Sequence, residues 1–150
     1  MANYTQELRS ISHIPKNIRV AFITADFNKE YTDKLEEVTE NTLQEHHFRH
    51  ITRYRVPGAF EIPAMIERVI EKWEVDLIYC FWVVIRGATT HYDYVCNETA
   101  RGIMEASVKH KDTPIIFGLL TCENTKQVEE RINENLAISW LNLLSVCLEV

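Results

Sequence analysis

Four stretches of the chain are apolar or alternating, and between them apolar residues recur every three or four positions. NIRVAFITADF (17–27) predicts a strand, and HITRYRV (50–56) alternates with period two and predicts another. DLIYCFWVVI (76–85) and TPIIFGLLT (113–121) are continuous apolar runs, as expected of strands buried on both faces. NKEYTDKLEEVTENTLQEHHF (28–48) puts Tyr31, Leu35, Val38 and Leu43 on a helical face, with Asn28 as its expected N-cap. PGAFEIPAMIERVIEKW (57–73) opens on a turn and continues as a helix, and HYDYVCNETARGIMEASVKHK (91–111) is helical. ENTKQVEERINENLAISWLNLLSVCLEV (123–150) reads as one long helix or two, first capped by Asn124 or Thr121. Strands alternating with helices predict an α/β fold with a central four-stranded parallel sheet, covered on both faces. Residues 1–16 are polar, with Pro15 ahead of the first apolar run. They are expected to form an N-terminal arm, flexible or docked on a partner, before one domain over 17–150.

Composition narrows the class without changing this picture. A chain of 150 residues suggests one domain, and 46% hydrophobic with 25% charged residues is ordinary for a soluble protein. The net charge of −6 argues against a nucleic-acid surface, which needs a basic stripe. Cys80, Cys96, Cys122 and Cys147 form no C-x-x-C pair and are expected as buried free thiols in a reducing compartment. The first residues contain no apolar core of a signal peptide. No apolar run approaches the roughly 18 residues of a membrane span. A cytoplasmic location is expected.

In parallel sheets ligands bind beyond the carboxyl ends of the strands. That selects ADFN (25–28), VPGAFE (56–61), IRGATTH (85–91) and LLTCEN (119–124), with Gly58, Gly87 and Gly118 in or beside them. In IRGATTH, Gly87 permits close backbone approach, and Ala88, Thr89 and Thr90 offer amides and hydroxyls at a helix N-terminus. Such an end suits a phosphate, though the loop lacks the Walker spacing, and a simple Thr cap would look the same. His91 follows in the first helical turn, where the dipole favours neutral imidazole and proton transfer. No cysteine or second histidine is placed nearby in sequence as a metal partner, so no metal site is expected. The remaining histidines, 13, 46, 47, 50 and 110, are expected to be solvated. Phe27 at the first strand mouth is either a core-edge aromatic or a plate for a flat heterocycle. Ala59, Phe60 and Glu61 begin the next helix, where Glu61 either serves the helix dipole or binds a polyol. Arg131 is either a solvated charge or, turned inward, a bidentate phosphate ligand.

These segments carry a resemblance. ADFN (25–28), VPGAFEIP (56–63), VIRGATTHYDYVCNETARGI (84–103) and IIFGLLTCEN (115–124) resemble the 6,7-dimethyl-8-ribityllumazine synthase family of riboflavin biosynthesis, in order over about residues 17–131. The resemblance implies a flavodoxin-like three-layer sandwich forming a homopentamer, or a multiple such as a decamer or a shell, with sites between subunits. It implies a transferase that condenses 5-amino-6-(D-ribitylamino)uracil with 3,4-dihydroxy-2-butanone 4-phosphate, without a cofactor, and riboflavin synthase as a candidate partner. Carried over by motif, Phe27 stacks on the pyrimidine, and Ala59, Phe60 and Glu61 hold the ring and the ribityl chain. Val83, Val84 and Ile85 meet the pyrimidine edge, and Phe117 lines a neighbour's site. Ala88, Thr89 and Arg131 bind phosphate, and His91 transfers protons. Two other readings remain: a degenerate paralogue that binds a lumazine or flavin, and a structural pentamer without efficient catalysis.

The chain departs from the family pattern twice. Trp82 stands where the family has a Gly or small residue, and needs room, for instance against the flanking helices. INENLAIS (132–139) replaces a Gly-rich turn carrying a lysine, so that Ser139 takes the lysine's place and the two final helices are expected to run as one.

Overall fold

The structure is a computed structural model that describes residues 7–147. Its elements are β1 (Arg19–Ala25), α1 (Lys29–Glu45), β2 (His50–Val56), a single 3-10 turn (Ala59–Glu61), α2 (Ile62–Lys72), β3 (Leu77–Ile85), α3 (His91–Lys109), β4 (Ile115–Cys122), α4 (Thr125–Arg131) and α5 (Glu134–Cys147). The strands form one parallel sheet in the order β2-β1-β3-β4, and helices cover both faces.

The period of two in β3 builds both cores. Leu77, Tyr79, Phe81 and Val83 enter one cluster with Phe22, Leu35, Leu43, Trp140 and Leu144, under α1 and α5. Ile78, Cys80, Trp82 and Val84 enter the other with Ile62, Ile66, Val69, Ile103 and Ala106, under α2 and α3. Phe22, Tyr79 and Phe81 meet at centroid distances of 5.0–5.8 Å, and Trp140 closes the group. Trp82 is buried on the opposite face, in the cluster that also contains Ala21, Ala25, Ala59 and Ala106. Its bulk is therefore housed beneath α2 and α3.

Three boundaries differ from the sequence expectation. Helix α1 stops at Glu45 because His47 takes a left-handed backbone (φ 69°), so that the Phe48 amide returns to the Leu43 carbonyl at 2.9 Å and Phe48 drops into the core. The last segment is two helices among the described residues, not one. Ile132 is extended, and Asn133 accepts from the Leu136 amide (3.2 Å) while donating to the Glu130 carbonyl (3.1 Å). An asparagine thus makes the break for which no glycine was present. Residues 7–16 pack on α5 of the same chain. Ile11 and Ile14 are buried, the Arg9 amide donates to Asn142 Oδ1 (2.8 Å), and Asn142 Nδ2 donates to the Glu7 carbonyl (2.9 Å).

The thiols and histidines are less uniform than expected. Cys80 and Cys122 are buried, Cys96 is half-buried and Cys147 is exposed. His13 contacts the Ser145 carbonyl, His46 the Thr42 carbonyl and His110 the Glu67 carboxylate, so three of the histidines expected to be solvated have partners. Among the described residues no helix is long and apolar enough to cross a membrane.

Candidate functional site

The sheet places the four loops in a row. At the end of β1 the Asp26 amide donates to Val56 O (2.8 Å) and the Phe27 amide to Pro57 O (3.2 Å), which sets this loop against the end of β2. The Phe27 ring is 66% exposed. Asn28 starts α1 through its carbonyl, which accepts from the Tyr31 and Thr32 amides, but its side chain makes no cap bond. Asn28 is thus the N-cap residue by position, as expected, but not through its side chain. Its backbone is left-handed, and Nδ2 instead donates to the Val83 carbonyl at 2.7 Å, joining the loop to β3.

Beyond β2, Ala59 is buried and Phe60 is exposed. Glu61 Oε2 accepts the Gly58 amide at 3.0 Å, which closes the turn ahead of α2 and leaves the other carboxylate oxygen open. Pro63 in the first turn of α2 lacks an amide that would have had no helical partner.

At the end of β3, Val83 is fully buried and Val84 nearly so, leaving Ile85 half-exposed. Any contact of residue 83 with a ligand must therefore use its backbone, and its carbonyl is already bonded to Asn28. The Arg86 amide donates to Cys122 O (2.9 Å), its guanidinium approaches Glu123 (3.4 Å) and it lies 5.8 Å from the Tyr92 ring centre. Gly87, Ala88, Thr89, Thr90 and His91 are all exposed. A Cβ on Gly87 would meet nothing within 4 Å, and its φ is not positive, so nothing in this chain demands glycine there. Thr90 precedes α3 without a side-chain cap bond. The loop is therefore not closed by a Thr cap, and the amino end of α3 faces outward as an anion site would. His91 is the first residue of that helix. Tyr92 turns inward; burial first, and Cys96 next, push its hydroxyl above the usual tyrosine range.

At the end of β4, Arg131, the last residue of α4, reaches back so that Nη1 donates to Thr121 O (3.1 Å) and approaches Cys122 Sγ (3.6 Å). Asn124, one of the two expected caps, accepts from the Gln127 amide at 3.0 Å. Phe117 does not join this row. It pairs with Cys80 in mid-strand, about 16 Å from the end of β4 at 3.3 Å per residue, and is 47% exposed on an edge strand. The Ser139 hydroxyl donates to Leu136 O of its own helix.

One carboxyl edge thus carries, in order, Phe60 and Glu61, then Phe27, then Ile85 to His91, then Arg131. It can stack a flat ring, bind hydroxyls, hold an anion and move a proton. It is an open shelf in the single chain. A cleft of about 520 Å³ lies at the other end of the sheet, lined by Arg19, Arg49, Tyr54 and Trp73 among others, away from all of these groups. Among the described residues no cluster of His, Cys, Asp or Glu could hold a metal ion. Asn28, Arg86 and Tyr92 stitch the loops together; the sequence pointed to Asn28 only as a cap and to the other two not at all, because the contacts of Asn28 and Arg86 are set by strand order rather than by neighbours in sequence. The family model described as 6,7-dimethyl-8-ribityllumazine synthase matches residues 17–145. With that match spanning the sheet, four helices, nearly all of α5 and the whole row of loops, the chain belongs to the 6,7-dimethyl-8-ribityllumazine synthase family.

Proposed function

We propose that the chain condenses 5-amino-6-(D-ribitylamino)uracil with 3,4-dihydroxy-2-butanone 4-phosphate to give 6,7-dimethyl-8-ribityllumazine. The observation that carries this reading is the row itself. An exposed aromatic plate and an open carboxylate oxygen stand on one side; an uncapped helix start, a histidine and an arginine stand on the other. In this reading Phe27 stacks on the pyrimidine, Ala59, Phe60 and Glu61 hold the ring and its ribityl chain, and the backbone from Val83 to Ile85 meets the pyrimidine edge. Ala88, Thr89 and Arg131 hold the phosphate, and His91 carries protons. Imine formation, phosphate elimination, tautomerisation and ring closure mainly require two substrates held together and a group that shuttles protons, so no cofactor enters.

The reading also requires neighbours. The α3 face opposite the core presents Tyr94, Arg101 and Val108 seven residues apart, with Asn97 and Met104 between them at the spacing of a helix-packing seam. Tyr94, Met104 and Val108 are exposed in the single chain, as is Phe117. We therefore assign a homopentamer or a multiple of it, with Phe117 serving the adjacent subunit's site and residues 7–16 as an arm folded back on α5 of its own chain. Riboflavin synthase is the partner that would consume the product. One observation favours the rival reading of a binding-only paralogue: Ser139 turns its hydroxyl onto its own helix and brings no charge to the site. The test is direct. Purified protein mixed with both substrates should develop the lumazine chromophore faster than the uncatalysed mixture; binding of the pyrimidine without faster product formation would favour the paralogue.

A further inference from the structure

Two described residues other than glycine have a positive φ, His47 (69°) and Asn28 (58°). His47 has a local reason, because it supplies the left-handed turn that ends α1. Asn28 opens the same helix, where a capping residue ordinarily keeps an extended backbone. A left-handed residue other than glycine persists where its surroundings over-determine it.

Here they do. The β1–β3 ladder ends at the pair Thr24 and Phe81, while β3 runs on to Ile85. The amide of Asn28 spans the gap with its 2.7 Å bond to Val83 O. On the other side, Asp26 and Phe27 donate their amides to Val56 O and Pro57 O, and Asp26 Oδ1 accepts from Arg55 Nε at 2.9 Å. Asp26, Phe27 and Asn28 are thus held from β2 and from β3. The Phe27 ring, flanked by these fixed points, is exposed and, unlike the exposed Asp26, which pairs with Arg55, is not tied to a neighbouring strand by its side chain.

We infer that Asn28 is a positioning residue for Phe27. Its left-handed backbone turns the chain from β1 into α1 with the ring facing outward, and its clip to Val83 O sets the separation between that ring and the backbone of Val84 and Ile85. This rests on the function proposed above, since the separation matters when a flat heterocycle lies against the ring.

Asn28→Gly accepts the left-handed backbone freely and deletes the clip, whereas Asn28→Ala deletes the clip and strains the turn. With folding checked by thermal unfolding, Asn28→Gly should raise KM for the ribitylaminouracil about tenfold, the loss of one positioning hydrogen bond, and leave KM for the butanone phosphate within about twofold. Asn28→Ala should raise the pyrimidine KM further. An unchanged pyrimidine KM in Asn28→Gly, or equal changes for both substrates, overturns the assignment. A second readout does not depend on activity. In protein labelled with 4-fluorophenylalanine, the Phe27 resonance, assigned through Phe27→Leu, should shift and narrow in Asn28→Gly as the ring is released. An unmoved resonance also overturns it. If the wild type forms no lumazine, the proposed function fails by itself, and the fluorine signal still decides the role of Asn28.

Discussion

The Arg131 guanidinium donates to the Thr121 carbonyl at 3.1 Å, tying the last residue of α4 to the carboxyl end of β4. Both of its contacts use Nη1, so among the described residues Nε and Nη2 remain available to an anion. Arg131→Ala should therefore raise KM for the butanone phosphate by about 10- to 100-fold, the loss of roughly 1.5–3 kcal/mol of charge-assisted bonding, with a much smaller change for the pyrimidine. Steady-state kinetics with each substrate varied in turn checks this. Equal effects on both would show that Arg131 only braces α4 against β4.

His91 lies one helical position beyond the uncapped Thr90, so proton transfer and phosphate binding should separate. His91→Ala should lower turnover by roughly ten- to a thousandfold, within or just below the usual range for an acid–base group, because approximation of the substrates is retained. Inorganic phosphate should bind the variant as it binds wild type, measured by calorimetry. Loss of phosphate binding together with activity would mean that the loop and the histidine act as one unit.

The exposed seam on α3 predicts how assembly fails. Met104→Glu combined with Val108→Glu places like charges on a surface that would face its own copy, at no cost to the core, since both side chains are exposed. Light scattering should show wild-type pentamers, or multiples of them, becoming monomers with unchanged far-ultraviolet circular dichroism. Activity should fall with assembly, because Phe117 would then have no neighbouring site to serve. A fully assembled double variant would place the interface elsewhere.

Glu67 on α2 meets His110 Nε2 at 2.9 Å and Lys109 Nζ at 3.3 Å, bridging α2 to the end of α3. Burial alone would raise its pKa, but the hydrogen bonds and charges of His110 and Lys109 outweigh that and lower it below the usual 4.5. A carboxylate whose pKa is depressed by folding adds stability above its unfolded value and loses it as pH falls through the folded one. The side chain is 41% exposed, so the gain is small, about 0.5 kcal/mol. Glu67→Gln should lower Tm slightly at pH 7, and the difference should close as pH drops well below 4.5. A constant gap across that range would point to packing rather than charge.

Much of the fold was legible because β3 and β4 are apolar without interruption and the helices between strands are not. Those two periods determine layers and strand direction without knowledge of any contact. The loops were legible as locations, because ligands in such sheets lie beyond the strand ends. What each side chain does there was less so. Asn28 has the composition of a cap, yet its amide crosses to Val83, a contact set by strand order rather than by neighbours in sequence. Asn133 breaks the final helix with paired side-chain bonds, a device not tied to glycine. Trp82 stood out as a bulky residue that needs room, for instance against the flanking helices, and the pleat sends it to the α2 and α3 face. Phe117 read as a site residue from resemblance, whereas its mid-strand position keeps it out of the row of loops in the single chain.

Gly118 has a consequence beyond the packing of its own strand. A Cβ there would lie 2.6 Å from the Cys80 carbonyl and 2.8 Å from the Phe81 ring, so edge strand β4 packs tightly on β3 midway along the pair, while residues 86 to 91 at the end of β3 are all exposed. Resistance to local opening should therefore fall from near the global limit to almost nothing over the few residues that follow Ile85. Amide exchange across β3 should be among the slowest in the protein, with the loop directly after it among the fastest. Substitutions in that loop can alter ligand preference while leaving the unfolding barrier of the sheet unchanged, so chemistry and durability can vary independently in this scaffold.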